Sequence, residues 1–315
     1  MARNRRKRRP DPPGPAGFLV VDKPVGWTSH DVVDAARRWF GVRRIGHLGT
    51  LDPLATGVLP LAVRQATKLA PFMGEGPKVY VGTIKLGVAT DTFDAEGRVT
   101  HQHDGPLPDE ATVRAALQAF RGESEQLPPM YSSVKKDGVP LYRLARKGEE
   151  VEREPRRITI HEISMPHYAP PEIGVEVSCS PGTYVRSLAA DLGERLGCGA
   201  HLSSLRRTRS GVFRLEQAHT PEVLDTLAEE GGLEAALQPA ADALGLPRVR
   251  FTAVQARKVG HGTPIPVAEA QGDFETGAPP RPGDRLAGLL PSGELLAVLE
   301  LRPDRRLHPL RLLEI

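Results

Sequence analysis

The chain has 315 residues, of which 39% are hydrophobic and 26% are charged, a composition typical of a protein with a buried core. This length predicts about two domains. Its two cysteines exclude a disulfide scaffold, and no apolar run approaches the roughly 20 residues that cross a bilayer. The N-terminus also lacks the apolar segment of a secretory signal. We therefore expect a cytoplasmic protein with no membrane association.

The positive charge is concentrated at the N-terminus. Residues 1–15 carry six basic side chains and one aspartate, a net charge of +5, whereas the whole chain carries only +3. The other residues therefore have a net charge of −2, and a nucleic-acid site in the folded body must be a local patch. We interpret 1–15 as a disordered basic arm, which either attracts phosphates loosely or only increases solubility.

The first half of the chain contains short strands and helices. An apolar run at 18–21 predicts a buried strand, and the next segment predicts a helix with Ser29 as its N-cap and Gly41 as its end. Strands are predicted in GVLPLAV and KVYVGTIKLG, with a short helix in QATKLAPFM between them. VATDTFDAEG is predicted to be a polar, turn-rich loop, and DEATVRAALQAFRG an amphipathic helix.

The second half continues in the same mixed manner. PRRITIHEISM, IGVEVSCS and SSLRRTRSGVF are predicted strands, and YVRSLAADLGERLG is a predicted helix. Because strands and helices do not alternate regularly, the sequence predicts an α+β fold with a mixed sheet rather than a doubly wound one. This domain is expected to span residues 16–246.

Residues 127–154 differ in composition from the segments on either side. They are flanked by prolines, combine lysine, arginine and tyrosine, and contain a short helical stretch at 141–147. Basic side chains interleaved with tyrosines are typical of contacts with RNA backbone and bases. The segment is therefore either an RNA-contacting insertion or a solvated helical hairpin that connects two strands.

The residues after GLPRV form a separate predicted module, 247–315. It contains one short helix in TAVQARKVGHG, two apolar runs joined by Pro-Ser-Gly as in a β-hairpin, and a last strand in LHPLRLLEI. We expect a small β-rich domain within the size range of independent domains.

The segment GHLGTLDPLATG, residues 46–57, contains a single acid, Asp52, among glycines, apolar residues and a proline. Pro53 restricts Asp52 to an extended backbone, and the glycines permit sharp turns or close approach of another backbone. From these residues alone, the carboxylate is a helix cap, a metal ligand or a nucleophile. Metal binding is disfavoured, since the segment supplies only His47 and Asp52 and lacks a recognisable ligand spacing.

The sequence contains no clear motif for a metal or a nucleotide cofactor elsewhere. HQHD at 101–104 is the other cluster of possible metal ligands, but it lies in a polar loop without further ligands. No Walker-type loop and no GxGxxG sequence is present. We therefore expect no metal and no cofactor.

Five motifs, in order along the chain, resemble those of the TruB family, the bacterial tRNA pseudouridine-55 synthases. They are VDKPVGWTSHDVV, GHLGTLDPLATGVLPLAV, KVYVGTIKLGVATDTFDAEG, PPMYSSVKKDGVPLYRLARKGEEVERE and CSPGTYVRSLAADLGERLGCGAHLSSLRRTRSG. The resemblance implies a pseudouridine synthase catalytic domain in which 127–154 is the tRNA-gripping thumb. The C-terminal module resembles the family's PUA-like RNA-binding domain more loosely.

The resemblance also implies a reaction, the isomerisation of uridine 55 in the T-loop of tRNA to pseudouridine. The N1–C1′ bond breaks, the uracil turns and C5 joins C1′, so no redox or metal cofactor is required. Asp52 matches the family's nucleophile. Tyr80 matches the tyrosine that stacks on the flipped uracil, and Arg186 matches the arginine that pairs with the aspartate.

Other matched residues are implied to bind the substrate. Tyr184 and Leu205 match residues that line the base pocket, and His47 matches a histidine beside the extruded bases. Lys23 lies in the VDKP motif, which is expected to support the catalytic loop. Four basic residues are expected to neutralise tRNA phosphates: Lys135, Lys136, Arg206 and Arg207. The resemblance implies a monomer that binds tRNA without an obligate protein partner.

Two alternatives stay open at this point. A guide-RNA-dependent, dyskerin-like synthase shares the KPxGxTS and LDPLATG motifs but acts inside a multiprotein particle, and the basic insertion at 127–154 favours the stand-alone enzyme. The other alternative is a tRNA-folding chaperone with an inactive site. The presence of Asp52, Tyr80 and Arg186 favours catalysis.

Overall fold

The computed structural model describes residues 11–73, 76–132, 134–145, 147–149, 151–273 and 280–313. Residues 1–10 of the predicted basic arm lie outside the described residues. The rest of that arm is held against the fold, because the Asp11 carboxylate accepts hydrogen bonds from the backbone amides of Arg43 at 3.0 Å and Arg44 at 2.9 Å. The prediction of disorder therefore does not hold at Asp11.

Helices and strands are mixed along the described chain, as an α+β fold requires. The α-helices are α1 (Ser29–Phe40), α2 (Glu110–Gln118), α3 (Leu141–Ala145), α4 (Val185–Arg195), α5 (Pro221–Glu229), α6 (Ala240–Leu244) and α7 (Ala253–Gly260). Shorter 3-10 helices span Arg64–Phe72, Leu215–Gln217, Leu233–Ala236 and Val267–Glu269. No helix in the described part of the chain is long and apolar enough to cross a membrane.

Ten of the described strands form one sheet, and six form a second. The larger sheet contains β1 (Gly17–Lys23), β2 (Ile45–His47), β3 (Ala55–Val63), β4 (Lys78–Leu86), β7 (Gly122–Gln126), β10 (Arg156–Ala169), β11 (Glu172–Cys179), β12 (Ala200–Ser210), β13 (Phe213–Arg214) and β14 (Gln238–Pro239). The smaller sheet contains β15 (Arg248–Arg250), β16 (Ile265–Pro266), β17 (Gln271–Asp273), β18 (Arg285–Leu289), β19 (Leu295–Leu301) and β20 (Arg306–Leu312). Two separate hairpins pair β5 (Val88–Thr90) with β6 (Val99–Gln102) and β8 (Lys135–Lys136) with β9 (Val139–Pro140).

The larger sheet is mixed, which confirms the predicted fold class. Its strands run in the order β14-β1-β3-β12-β4-β11-β10-β7, with β2 paired to β3 and β13 paired to β12. Among the pairings described for this sheet, β12 with β3 is parallel and the others are antiparallel. The parallel pair brings the strand that follows Asp52 next to the strand that contains Leu205 and Arg207.

The N-terminus of α1 differs from the prediction by one residue. Thr28, not Ser29, is the N-cap: its hydroxyl accepts a hydrogen bond from the amide of Asp31 at 3.1 Å, and the Asp31 carboxylate accepts one from the Thr28 amide at 2.8 Å. This is a capping box. Gly41 ends the helix in the left-handed conformation, at φ 62°, as predicted.

The two faces of the central strands bury different cores. On one face, called the cleft face, Leu19, Leu59 and Leu61 pack with residues of β4, β10 and β11 and of helices α1, α2 and α4. On the opposite face, called the module face, Phe18, Val20 and Val58 share a core with Phe213, with α6 and with the smaller sheet. The alternation of side chains along each strand therefore separates these two cores.

The C-terminal module is joined to the larger sheet through the module face. The shared core includes Ala287, Leu289 and Val298 from the smaller sheet, all less than 5% exposed. The module also has a core of its own, which contains Val249, Phe251 and Leu299. The smaller sheet begins at Arg248, one residue after the predicted boundary, and the β18–β19 hairpin and the last strand lie where the sequence predicts them.

Candidate active site

The strand register places the candidate site residues in one row across the cleft face. Lys23 on β1 pairs with Gly57 on β3, Gly57 pairs with Arg207 on β12, and Arg207 pairs with Tyr80 on β4. Gly57 has φ 97°, and a Cβ at this position would lie 2.2 Å from the backbone oxygen of Arg207. Only glycine therefore allows these strands to approach so closely.

Asp52 lies in the loop of residues 48–54, called the Asp52 loop, which connects β2 to β3 above this row. Oδ2 of Asp52 lies 2.8 Å from Nε of Arg186, at the start of α4. The Arg186 side chain is 5% exposed, whereas that of Asp52 is 34% exposed. The pair therefore presents its carboxylate, and not its guanidinium, to an approaching molecule.

Arg186 is held by a second acid and by two backbone carbonyls. Its Nη1 lies 3.3 Å from Oδ2 of Asp94 and donates to the Thr92 carbonyl at 3.1 Å, while Nη2 donates to the Tyr131 carbonyl at 2.8 Å. Asp94 is buried, and its other oxygen accepts hydrogen bonds from the Thr92 hydroxyl and the Glu96 amide. These contacts fix the guanidinium, which in turn fixes the Asp52 carboxylate.

Burial and the positive charge of Arg186 act in opposite directions on the pKa of Asp52. Burial raises the pKa of the Asp52 carboxyl above its usual value of 3.8, and the Arg186 guanidinium opposes this rise by stabilising the carboxylate. The negative charge of Asp94 adds to the rise, and the positive charge of Lys23 opposes it. The charged form of Asp52 therefore depends on Arg186.

Two buried side chains anchor the Asp52 loop from below. The Ser29 hydroxyl accepts a hydrogen bond from the Leu51 amide at 2.8 Å and donates to the Leu51 carbonyl at 2.9 Å. Nζ of Lys23 donates to the Pro53 carbonyl at 3.2 Å, and also to the carbonyls of Pro24 and Trp27. Burial lowers the pKa of Lys23 to about 8. The structure thus places Lys23 under the loop, where the sequence resemblance implied a supporting role.

The position of Arg207 differs from the expectation of a phosphate contact. It is 1% exposed, and its guanidinium donates to the backbone carbonyls of Val58 at 2.7 Å, Thr50 at 3.3 Å and Gly49 at 3.3 Å. A phosphate has no access to this group. The run of basic residues in LRRTR could not reveal this burial, because alternate residues of a strand point to opposite faces.

Tyr80 and Tyr184 lie close enough to Asp52 for its charge to act on their hydroxyls, and Leu205 shares a core with Tyr80. Tyr80 and Leu205 are each 8% exposed and lie on the cleft face. Burial raises the pKa of the Tyr80 hydroxyl, with Arg207 acting in the opposite direction. Burial also raises the pKa of Tyr184, the N-cap residue of α4. The Gln126 side chain fixes Tyr184, since its oxygen accepts from the Tyr184 amide at 2.8 Å and its nitrogen donates to the Tyr184 carbonyl at 3.0 Å.

His47 ends β2, immediately before the Asp52 loop. Its Nδ1 is buried and has no hydrogen-bond partner among the described residues. Burial lowers its pKa, and the positive charge of Arg207 contributes in the same direction. The imidazole is therefore favoured in its neutral form at pH 7.

The other predicted phosphate-binding residues lie away from Asp52. Arg206 is on the module face, where Nη2 lies 2.6 Å from Oδ2 of Asp22, so it does not contribute to the cleft. Lys135 and Lys136 form β8 in the predicted thumb and are exposed, and Nζ of Lys136 donates to the Glu152 carbonyl at 2.9 Å. The predicted helical stretch of the thumb is α3.

Three residues of the site were missed at the sequence level. Asp94 lies in a segment interpreted only as a turn-rich loop, Gln126 ends a strand, and Ser29 was assigned as a cap. Their functional signal is a contact with a residue distant in sequence: 92 residues separate Asp94 from Arg186, and 58 separate Gln126 from Tyr184. Spacing along the chain does not contain that information.

Comparisons with known proteins identify the family of this chain. Residues 37–185 match the model of the TruB family pseudouridylate synthase N-terminal domain, and residues 186–245 match that of the tRNA pseudouridylate synthase B C-terminal domain. The chain is 48% identical to tRNA pseudouridine synthase B of Geobacter sulfurreducens, covering 90% of this chain and 93% of the relative. It is 46% identical to the protein of the same name in Syntrophotalea carbinolica, covering 83% and 86%.

Solved structures with the same fold come from ribonucleoprotein complexes. The structure of an H/ACA RNP bound to a substrate RNA containing 2′-deoxyuridine matches with a TM-score of 0.66 and 28% identity, covering 91% of this chain and 78% of that chain. The archaeal box H/ACA sRNP Nop10–Cbf5 complex matches with a TM-score of 0.67 and 26% identity, covering 95% and 85%.

The family model over residues 37–185 and the mixed sheet shared with these structures show that the chain is a pseudouridine synthase. Within this class, the chain belongs to the TruB family, as its identity to the two bacterial relatives over most of their length shows. The C-terminal family model ends at residue 245, so the β-rich module that follows lies outside both family models.

Proposed function

We propose that this protein isomerises uridine 55 in the T-loop of tRNA to pseudouridine, with Asp52 as the nucleophile. The observation that carries the proposal is the Asp52–Arg186 pair, in which a partly exposed carboxylate is held at 2.8 Å by a buried guanidinium. The names of the bacterial relatives support tRNA as the substrate.

The reaction moves one glycosidic bond within a single nucleotide. The N1–C1′ bond breaks, the uracil turns, C5 bonds to C1′, and the proton on C5 is lost while N1 gains one. Attack of the carboxylate at C1′, attack at C6 and a glycal route all require an ionised Asp52 close to the ribose and base. Arg186 supports each route by holding the carboxylate in its charged form and in one direction.

The burial of Tyr80 and Leu205 requires an extruded nucleotide. Tyr80 and Leu205 lie on the sheet below the Asp52 loop and are almost fully buried, so a base that remained stacked in RNA would not reach them. In this proposal the flipped uracil stacks on Tyr80, Leu205 and Tyr184 line its pocket, and neutral His47 occupies space beside the extruded bases. The exposed lysines of β8 contact the tRNA backbone.

The experiment is pseudouridine mapping on an unmodified tRNA transcript incubated with the purified protein alone. We expect modification at position 55 and nowhere else. The variant Asp52→Asn should lower the single-turnover rate by at least about a thousandfold while tRNA affinity changes little, because the amide is similar in shape but not nucleophilic. Full activity of Asp52→Asn would contradict the assigned nucleophile.

The same experiment separates the proposal from its two alternatives. A guide-RNA-dependent synthase would leave the transcript unmodified until guide RNA and partner proteins were added. A chaperone without catalysis would accelerate tRNA folding and produce no pseudouridine. The identity of 48% to a bacterial tRNA pseudouridine synthase B, against 28% to the H/ACA structure, supports the stand-alone enzyme.

We also propose that the protein acts as a cytoplasmic monomer without metal, cofactor or obligate protein partner. Each of the bond changes above is an exchange within one nucleotide, which supports the absence of a redox step. Light scattering of the active protein tests the oligomeric state, and activity of the purified chain after chelator treatment tests the metal requirement. A dimer, or activity lost on chelation and restored by metal, would contradict this proposal.

A further inference from the structure

Arg207 is a fully buried arginine to which the reaction as described assigns no role. No described carboxylate lies within ion-pairing distance of its guanidinium, which instead bonds to three backbone carbonyls. A buried charge without an opposite charge is unfavourable unless hydrogen bonds compensate for it. A neutral side chain would fill the same space at a lower cost, so the charge or the geometry of the guanidinium needs an explanation.

The three carbonyls lie on both sides of Asp52. Gly49 and Thr50 lie within the Asp52 loop, before Asp52, and Val58 lies on β3, after it. One rigid planar group therefore connects the first part of the loop to the strand that follows it. Ser29 and Lys23 hold the loop at Leu51 and Pro53, and Arg207 adds the contact that connects the loop to β3.

Arg207 is also the direct neighbour of Tyr80 across the β12–β4 pairing. Both side chains lie on the cleft face, in the row that continues through Gly57 to Lys23. The guanidinium lowers the pKa of the Tyr80 hydroxyl by its charge and by hydrogen bonding, against the effect of burial. The Arg207 guanidinium thus bonds to the backbone of the Asp52 loop, and Arg207 lies beside Tyr80.

We propose that Arg207 is a positioning residue for the reaction, which sets the distance between the Asp52 loop and Tyr80 by bonding to the loop and to β3 from the strand next to Tyr80. The inference rests on the proposed function. Lysine reproduces it poorly, because three different nitrogens of the Arg207 guanidinium contact the three carbonyls, whereas a shorter lysine has one nitrogen for all of them. The expected consequence is a defect in the chemical step with intact tRNA binding.

The test compares Arg207→Lys and Arg207→Met with the wild type in single-turnover pseudouridine formation and in tRNA affinity. We expect the rate to fall about 10- to 100-fold in Arg207→Lys and further in Arg207→Met, with the tRNA dissociation constant changed less than about threefold. Thermal unfolding of each variant identifies the temperature range in which it stays folded, and rates are compared there.

Arg209 provides the matched control. It lies on the same strand, and its Nε donates to a backbone carbonyl, that of Gly211 at 2.8 Å, away from the Asp52 loop. Arg209→Lys and Arg209→Met should keep the wild-type rate. Wild-type rates in folded Arg207→Lys, or a loss of tRNA affinity equal to the loss of rate, would overturn the proposal. If both Arg207 variants fail to fold, Arg207→Gln takes their place, since its planar amide keeps a donor for these carbonyls, and a wild-type rate in that variant would equally overturn the proposal.

The outcome is distinguishable from a failure of the proposed function. If the wild-type protein makes no pseudouridine on tRNA, the function itself is wrong and the variants are not informative about position. If the wild type is active and Asp52→Asn is inactive, the Arg207 series alone decides whether this arginine positions the loop.

Discussion

The two faces of strands β1, β3 and β12 differ in the charged side chains that they bury, although alternate residues of the same strands form both faces. On the cleft face, Lys23 and Arg207 are buried with their charges directed to backbone carbonyls. On the module face, Phe18, Val20 and Val58 are buried among apolar side chains. Burial of apolar surface stabilises a fold, whereas burial of charge generally does not.

Both faces bury an apolar core, but the cleft face adds buried charged side chains that hold the Asp52 loop. The module face has the apolar packing that joins the C-terminal module to the larger sheet. The cleft face uses its buried cations, together with the apolar packing of Leu51, to hold the Asp52 loop. Substitutions of apolar residues on the module face should therefore change stability without changing turnover, whereas substitutions of the polar residues that hold the Asp52 loop should change turnover.

The largest expected effect on stability tests the module face. The ring of Phe213 packs against that of Phe18 with centroids 5.6 Å apart, in the core shared with the C-terminal module. Phe213→Ala should lower the free energy of unfolding by about 3–5 kcal/mol, since it leaves a cavity in a closed apolar core. Urea unfolding measures the loss. The single-turnover rate of the folded fraction should stay at the wild-type level, and a lower rate would mean that the two faces are coupled.

The next effect is expected on the cleft face. Asp94→Asn removes the second charge that holds Arg186, at 3.3 Å, and leaves more of the guanidinium charge to be balanced by Asp52 alone. Displacement of Arg186 should lower the single-turnover rate about 10- to 100-fold, with tRNA affinity unchanged.

Asp242→Asn is the matched control for Asp94→Asn. Asp242 also pairs with an arginine, Arg248, at 2.6 Å, but both side chains are more than 30% exposed. Such a pair contributes only about 0–1 kcal/mol, so this variant should be silent in both rate and stability. Equal effects of the two substitutions would show that burial of the Arg186 network is unimportant.

Asp94 also shows how far the sequence alone predicts this site. The Asp52 loop, Tyr80 and Arg186 were all assigned from motifs, and the mixed sheet, the helices and the hairpin of the module follow from periodicity. Asp94 was not found, because TDTFDAEG has the composition of an ordinary turn. Its role depends on Arg186, which reaches it from the start of α4, and such a contact is a property of the tertiary fold.

Arg206 and Arg207 show the same limit for residues that the sequence did single out. Both were expected to bind phosphate because they are basic and lie in a motif near the site. In the structure Arg206 pairs with Asp22 on the module face, and Arg207 is buried on the cleft face. The sequence predicts a strand here, but the burial of each face depends on which elements pack on it, and that information is distributed over the whole chain.

The pH dependence of turnover should reflect the environment of Asp52. The carboxylate is the active form, and burial raises its pKa above 3.8, so activity should decline on acidification at a higher pH than for an exposed aspartate. Below the midpoint the rate should fall about tenfold per pH unit. Stopped-time assays with circular dichroism at each pH separate this titration from acid unfolding. A rate that stays constant down to the unfolding pH would contradict the raised pKa.

The smallest expected effects distinguish two adjacent residues at the start of α1. Ser29→Ala removes both hydrogen bonds to Leu51 and leaves buried backbone groups of the Asp52 loop without their partner, at about 1–3 kcal/mol. Part of this energy should appear as a several-fold loss of turnover, because the loop next to Asp52 becomes less restricted. Thr28→Ala removes only the N-cap and should lower the free energy of unfolding by about 1 kcal/mol without affecting turnover.

The two substitutions make a sharp test because they lie at adjacent positions and each removes one hydroxyl group. Urea unfolding and single-turnover rates of both variants, measured side by side, should show a stability defect in each and a rate defect in Ser29→Ala only. If Thr28→Ala were the slower enzyme, the helix start and not the Leu51 anchor would position the Asp52 loop. Equal rates would mean that Lys23 and Arg207 are sufficient to hold it, since they bond to the loop at Pro53, Gly49 and Thr50.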